Sequence, residues 1–262
     1  MDSILFYDIK EYERPLFEAY NGGAFLFDYT ESKLDEKTVA LAKGYGAVCI
    51  FVNDAAGGAV IRKLKEYGVG LVALRCSGFN NVDMAAAEQC GVRVMRVPAY
   101  SPYSVAEHAM AMLLTLNRKI HKAYIRTRDF NFSLNHLIGF DLHGKTAGVV
   151  GTGRIGRTFI GICQGFGMRV LCHDVRPDPA AGLEYAPMEQ LLAESDVISL
   201  HCPLTEDTRH IIGKKAFSRM KEGCILINTS RGGLIDSEAL LDALLSGKLG
   251  GACLDVYEEE AG

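Results

Sequence analysis

No run of apolar residues in the chain approaches the length of a bilayer span, so no membrane-crossing helix is expected. Nor is there a block of lysines and arginines. With a formal net charge of −4 the chain is too close to neutral to attract a polyanion, and a nucleic-acid partner is not expected. The eight cysteines (Cys49, Cys76, Cys90, Cys163, Cys172, Cys202, Cys224 and Cys253) form no C-x-x-C pair and no zinc-spaced cluster with histidine. A metal site is therefore not expected either. Most of these cysteines sit in apolar runs such as Val48-Cys49-Ile50, where a free thiol behaves as a small hydrophobe, and such usage fits a reducing cytoplasm. Asp2 followed directly by the strand-like Ile4-Leu5-Phe6-Tyr7 lacks the build of a signal peptide. There is no solenoid-spaced repeat and no low-complexity tract. These absences leave a soluble, cytoplasmic α/β protein as the expectation.

What is present is alternation. The chain has 262 residues, 48% of them hydrophobic, which is comfortable for two domains with cores of their own. Short apolar runs predict strands at Ile4–Tyr7, Ala24–Phe27, Ala47–Phe51, Leu71–Leu74 and Arg93–Arg96. Helical patterns fall between them, among them Ala59–Tyr67 and Met84–Cys90, the latter opened by Asp83 as cap. Pro98 and Pro102 bracket a loop before a long helix, Ser104 to Arg118, with apolar residues on most faces. Such a helix is buried on several sides, between domains or subunits. Further strands are expected at Ala147–Val150, Arg169–Cys172, Val197–Leu200, Ile225–Asn228 and Gly251–Asp255. Strands alternating with helices mean parallel βαβ units, with the boundary between the two domains at residues 100 and 101.

The segment from Lys145 to Gly156 carries the strongest local signal. An apolar strand runs into Gly151, Gly153 and Gly156 and then into a helical pattern, the opening of a dinucleotide-binding unit. Gly151 permits the tight turn, Gly153 lets backbone approach a pyrophosphate, and Gly156 lets helix pack closely on strand. The helix start offers unpaired N–H groups and the positive dipole end to phosphates. Asp174, following the next strand, is placed to accept from ribose hydroxyls and to repel a 2′-phosphate, favouring NAD over NADP.

Three later strands end on residues able to carry chemistry. Arg231, after Asn228-Thr229-Ser230, can grip a carboxylate with two prongs and polarise a carbonyl, although a surface arginine after a turn is the plain alternative. Asp255 ends the strand before Val256-Tyr257-Glu258-Glu259-Glu260 and could accept from a cofactor amide; three successive glutamates are usually a solvated loop. Pro203, after Ser199-Leu200-His201-Cys202, fixes a turn at the same edge. His201 can titrate usefully, but a strand-end histidine is more often a structural hydrogen-bonder. In the first half, N–H groups at Ser77 and Gly78 form either a carboxylate-binding nest or an ordinary βα turn, and Tyr100 lines a pocket or packs on the hinge.

Together these stretches resemble the D-2-hydroxyacid dehydrogenases, and within them the fermentative D-lactate branch. The broad family is carried by V-G-T-G-R-I-G, S-L-H-C-P-L-T, N-T-S-R-G and L-D-V-Y-E; the branch by R-C-S-G-F-N-N-V-D, V-P-A-Y-S-P-Y-S-V-A-E-H-A and N-F-S-L-N-H-L-I-G-F-D-L-H-G-K-T. The resemblance implies two doubly wound parallel-sheet domains, a flavodoxin-like substrate domain over residues 1–100 and a Rossmann NAD-binding domain over 101–262. The implied reaction is reversible hydride transfer between NAD and a 2-oxo acid, with pyruvate reduced to D-lactate. Another 2-oxo acid such as hydroxypyruvate, or a non-catalytic NAD-binding scaffold, is the alternative. Arg231 would bind the substrate carboxylate and polarise its carbonyl, Glu260 would orient an acid/base histidine, and Ser77, Gly78 and Tyr100 would line the substrate pocket. Arg154 and Ile155 would meet the pyrophosphate and Asp174 the ribose; Cys202, Pro203, Thr208, Thr229, Ser230 and Asp255 would frame the other cofactor contacts. At least a homodimer is implied.

One departure accompanies the resemblance. The family's acid/base histidine lies on a loop well beyond L-D-V-Y-E-x-E, and no residue up to Gly262 matches it. The segment expected to return to the first domain and complete its layer is absent as well. The expectation is a chain that binds cofactor far better than it turns substrate over.

Overall fold

The computed structural model describes residues 3–98 and 100–258. The chain divides into two compact units, Met1–Tyr100 and Ser101–Gly262. Each is a five-stranded parallel sheet with helices on its faces.

In the first unit β1 (Ser3–Phe6), β2 (Leu26–Tyr29), β3 (Ala47–Ile50), β4 (Leu71–Leu74) and β5 (Arg93–Arg96) lie in the order β2-β1-β3-β4-β5, the flavodoxin-like order. β3 is buried at every position, as a central parallel strand must be, while β5 is an edge strand whose ends are arginines. α2 (Gly58–Glu66) buries Val60, Ile61 and Leu64 against the sheet, beside α3 (Met84–Cys90). The α3 cap is the one expected: Asp83 Oδ1 accepts from Ala86 N at 2.9 Å. The opposite face holds α1 (Arg14–Asn21) over a small aromatic cluster in which Phe6 meets Phe17 at 4.7 Å and Phe27 at 4.9 Å. No residue of α1 is fully buried, and Leu16, Tyr20 and Leu26 are exposed. β2 begins two residues later than its apolar run predicts. The Asn21 side chain binds both the N–H and the carbonyl of Phe25, which keeps 22–25 a loop.

The second unit contains β6 (Thr146–Val150), β7 (Arg169–His173), β8 (Val197–Leu200), β9 (Cys224–Asn228) and β10 (Leu249–Leu254) in the order β10-β9-β8-β6-β7. Tyr185 adds a single parallel bridge to Cys172 on the outer side of β7. Counting that bridge as a third strand reduced to one residue yields the Rossmann order 3-2-1-4-5-6, and no apolar run announces this strand. The connections reverse direction between β6 and β8, which makes their carboxyl ends the switch point. Helices α6 (Arg154–Gly165), α7 (Met188–Glu194), α8 (Lys214–Arg219) and α9 (Ser237–Leu245) cover the sheet with α4 (Pro102–Asn117), which is followed by α5 (Ile120–Arg128). α4 buries a single stripe, Ala106, Ala109, Met110 and Leu113, in the core its own unit forms around Val149, Phe159 and Ile160. Within this unit α4 packs on its own sheet and α6, and Met112, Leu114 and Leu116 are partly buried against the same core.

Candidate functional site

Register explains why distant motifs converge. In the second sheet Val150 pairs with His173 and with Leu200, Leu200 with Asn228, and Asn228 with Leu254. The glycine turn, Asp174, the His201–Pro203 turn, the Thr229–Arg231 turn and Asp255 therefore all leave the sheet from one row, at its carboxyl edge.

The three glycines do three different things there. Gly151 has φ +96°, and a Cβ on it would lie 2.6 Å from the carbonyl carbon of His201 and 2.7 Å from Cys202 N, so the turn is pressed against the next strand's exit. A Cβ on Gly156 would lie 2.0 Å from Gly151 O, so α6 touches the turn backbone to backbone. Gly153 caps α6, has open space where a Cβ would be, and supplies no side-chain acceptor to the first-turn amides. Arg154 and Ile155 open a helix whose N–H groups and dipole face outward, as an anion requires.

Asp174 is half-buried and heavily committed. Its Oδ2 accepts from Thr152 N at 2.7 Å and Thr152 Oγ1 at 2.9 Å, and its Oδ1 from Arg176 N at 2.9 Å. Burial alone would raise its carboxyl, but the Thr152 and Arg176 donors outweigh it and hold the group below the usual carboxylate range. It is an anion locked in place, with Oδ1 keeping room for an outside donor.

On β9's exit the fully buried Asn228 builds the turn. Its Oδ1 accepts from Ser230 N at 3.0 Å and its Nδ2 donates to Arg231 O at 2.9 Å, while Ser230 Oγ donates to Leu200 O at 2.9 Å. Arg231 is exposed; its Nη1 donates to Ser230 O at 2.7 Å, and among the described residues no carboxylate pairs with it. Thr229 Oγ1 is buried and has no partner among the described residues. A buried orphan hydroxyl on the same strand-end row as an uncapped helix start and an open glycine fits a polar group arriving from outside. NAD has the matching chemistry, a pyrophosphate for the α6 amides and ribose hydroxyls for Asp174.

The remaining expected residues are placed less simply. Thr208 spends its hydroxyl inside its own loop, donating to Pro203 O and accepting from Thr205 N, both at 2.7 Å. Cys202 is half-buried, and burial pushes its thiol up. Asp255 Oδ1 lies 3.5 Å from His108 Nε2, with both side chains half exposed. Ser77, Gly78 and Tyr100 belong to the first unit, on the loops that follow the neighbouring strands β4 and β5, and Ser77 O accepts from Arg96 Nη1 at 2.9 Å. Glu260 lies outside the described residues.

His201 does not fit acid/base work. Its Nε2 meets Ser199 Oγ at 2.9 Å, its ring rests 5.1 Å from Phe159, and Nδ1 is buried; burial lowers its pKa to about 4, so the ring is neutral at physiological pH. Sequence reasoning also missed Asn228, Thr152 and Glu258. Glu258 joins His210, Ser237 Oγ (3.0 Å) and Arg209 (3.4 Å), and so ties the chain beyond β10 to the 209–210 loop. The His210 contact and the Ser237 donors hold its carboxyl low against burial. Tyr257 crosses directly over Gly232, where a Cβ would lie 1.9 Å from its carbonyl oxygen. Among the described residues no three His, Cys, Asp or Glu side chains could share a metal ion, and no helix is long and apolar enough to cross a membrane.

Comparison with known proteins agrees with this geometry. A family model described as D-isomer specific 2-hydroxyacid dehydrogenase, NAD binding domain, matches residues 110–261. A D-lactate dehydrogenase of Escherichia coli (strain K12) is 51% identical over 258 residues, covering 97% of this chain and 78% of that protein. The apo structure of D-lactate dehydrogenase from Escherichia coli superposes with a TM-score of 0.93 at 50% identity, covering 98% of this chain and 83% of that one. A structure described as identifying the pyruvate reductase of Chlamydomonas reinhardtii superposes at 0.94 with 46% identity, covering 100% and 79%.

Proposed function

The chain belongs to the D-isomer specific 2-hydroxyacid dehydrogenase family, and from that premise we propose that its substrate is pyruvate, reduced to D-lactate. NAD-dependent dehydrogenation of D-2-hydroxy acids is the family activity. The pyruvate assignment draws support from relatives named D-lactate dehydrogenase and from the structural neighbour described as a pyruvate reductase.

The observation that carries the reading is Arg231, a guanidinium with no carboxylate partner among the described residues, on the same strand-end row as the glycine turn. NAD bound there supplies or takes the hydride. The chain's own part is positional and electrostatic. The α6 amides at Arg154 and Ile155, with Gly151, Gly153 and Gly156 clearing the approach, hold the pyrophosphate; Asp174 takes the ribose; Cys202, Pro203, Thr208, Thr229, Ser230 and Asp255 frame the rest. Asn228 sets the turn so that Arg231 projects outward, where its fork grips a carboxylate and draws charge from the adjoining carbonyl. Ser77 and Gly78 offer N–H groups to the substrate carboxylate, Tyr100 lines the pocket, and Glu260 orients the proton-transfer group.

A second copy of the chain is the proposed partner. Ile120, Tyr124 and Ile125 on α5 and Phe130, Phe132, Leu134 and Ile138 beyond it are all more than half exposed, a concentration of apolar surface characteristic of interfaces. Cys49, Cys90, Cys163, Cys172, Cys202, Cys224 and Cys253 form no disulfide among the described residues, which suits a reducing cytoplasm.

The test is NADH oxidation against pyruvate, hydroxypyruvate, 2-oxoisocaproate and glyoxylate, with chiral analysis of the product. Preference for pyruvate and a D product supports the proposal. Preference for a bulkier acid replaces the substrate, and NADH binding without any reduction favours a scaffold. Arg231→Gln is expected to raise KM for the 2-oxo acid by about tenfold or more, the worth of a charged hydrogen bond, with NADH affinity little changed. An unaltered KM would remove Arg231 from its role.

A further inference from the structure

The first unit has its own switch point, between β1 and β3, where a sheet of this order ordinarily leaves a ligand crevice. Here protein side chains fill it. Arg75, the first residue past β4, reaches back across the ends of β3 and β1. Its Nη1 donates to Tyr7 O at 3.0 Å, its Nη2 to Asp8 O at 2.7 Å, and its Nε to Glu13 Oε1 at 3.0 Å. The guanidinium also lies over the Phe51 ring at 5.1 Å. Its side chain is only 7% exposed and that of Glu13 15%. Asp8, whose carbonyl it holds, sits at φ +45°, a backbone state that persists only where neighbours enforce it.

A buried ion pair is a poor source of net stability, because desolvation offsets most of its attraction. What it does supply is a fixed geometry. The residues that follow Arg75 directly are Cys76, Ser77 and Gly78. Behind them Arg75 N donates to Ile50 O at 3.1 Å, and on the far side Val97 N donates to Cys76 O at 3.1 Å. We propose that Arg75 and Glu13 form a positioning pair that sets the loop Cys76–Gly78 in the geometry that receives the substrate carboxylate. Neither touches substrate. Arg75 is the anchor because its planar fork makes three directed bonds at once, which a lysine ammonium on a flexible stem cannot reproduce. The inference rests on the reading of Ser77 and Gly78 given above and deepens it.

The full chain carries the test, in Arg75→Lys and Glu13→Gln. Three quantities are measured: KM and kcat for the preferred 2-oxo acid, NADH affinity by fluorescence titration, and the rate at which an aromatic disulfide reagent labels Cys76, located by peptide mapping. Arg75→Lys is expected to raise KM by about tenfold or more, as a displaced positioning element does, with NADH affinity held within about twofold and Cys76 labelled faster. Glu13→Gln keeps an acceptor for one guanidinium N–H and is expected to show the same pattern at smaller amplitude; it decides the matter if Arg75→Lys does not fold. A lowered melting temperature with KM unchanged would mean a merely structural pair and overturn the proposal. If the unaltered protein reduces no 2-oxo acid, the functional reading fails separately. Cys76 labelling then decides this inference alone, with a faster rate in the variants upholding it and an unchanged rate overturning it.

Discussion

Alanine at Gly156 and alanine at Gly161 should act in opposite directions, although both residues lie in α6. A Cβ on Gly156 falls 2.0 Å from Gly151 O, where ordinary contact begins at 3.4 Å. The obstacle cannot yield. Gly151 O is a backbone atom in a left-handed turn, the Gly151 N–H donates to His173 O at 2.8 Å, and the space behind it is taken by the His201–Cys202 peptide. The helix start must therefore move by about 1 Å. Overpacking of this kind costs about 1–3 kcal/mol, and with no flexible side chain to absorb it the upper end is expected. The same shift withdraws the α6 amides from the pyrophosphate. Losing one charge-assisted hydrogen bond, about 1.5–3 kcal/mol, lowers NADH affinity by about tenfold to somewhat over a hundredfold. Gly161 has no atom within 4 Å of its Cβ position, and alanine there should add up to about 1 kcal/mol through helix propensity and a less flexible unfolded chain. Urea unfolding followed by circular dichroism, with NADH fluorescence titration, reads both quantities. If Gly156→Ala keeps its stability and its NADH affinity, or if both variants shift the same way, the close-packing argument is wrong.

Asp174→Ala removes the acceptor of two Thr152 donors as well as the ribose contact. NADH affinity is expected to fall, and preference for NADH over NADPH to shrink by about tenfold or more, because a carboxylate and a phosphate about 4 Å apart repel by several kcal/mol at an effective dielectric near 20; parallel titrations with the two cofactors check this. His201 gives a pH signature. Its folded pKa of about 4 lies below the ordinary 6.5, so the unfolded chain binds a proton that the folded ring refuses. Stability contributed by the neutral ring is complete above pH 6.5 and declines as pH falls toward 4, by roughly 3 kcal/mol in all. His201→Gln, compared with the unaltered protein by urea unfolding at pH 5 and pH 7.5, should flatten that slope; an unchanged slope would assign it elsewhere.

The fold was readable where burial and periodicity agree. β3, β4, β5, β8 and α3 fall within a residue of their expected bounds, and β3 and β8 read as continuous hydrophobic stretches because central parallel strands are buried on both faces. Legibility failed where polar side chains or single bonds decide the outcome. Asn21 displaces the start of β2 by binding Phe25, and the strand at Tyr185 is reduced to two bonds, Cys172 N donating to Glu184 O and Ala186 N donating to Cys172 O, both at 2.8 Å. No window of hydrophobicity contains either fact. For α4, the stripe through Ala106, Ala109, Met110 and Leu113 is enclosed by its own unit, and Met112, Leu114 and Leu116 are partly buried against the same core.

The same division runs through the site. Glycines declare themselves, because a turn at φ +96° or a 2.0 Å approach admits nothing else. Arg231 and Asp174 declare themselves by charge at strand ends. The residues that hold them do not, since an asparagine or threonine carries no sign of which partner it will meet. Asn228 sits within the quoted motif and still reads as one more polar strand-end residue until its two bonds to the Ser230–Arg231 turn are seen. Thr152 passed as a spacer between glycines, yet it supplies two of the donors that keep Asp174 ionised. What a sequence shows most readily is therefore the group that meets the ligand, and what it conceals is the group that aims it. Arg75 is the extreme instance. Its charge suggests a surface residue, and only the carbonyls of Tyr7 and Asp8, far earlier in the chain, reveal that it is an interior brace.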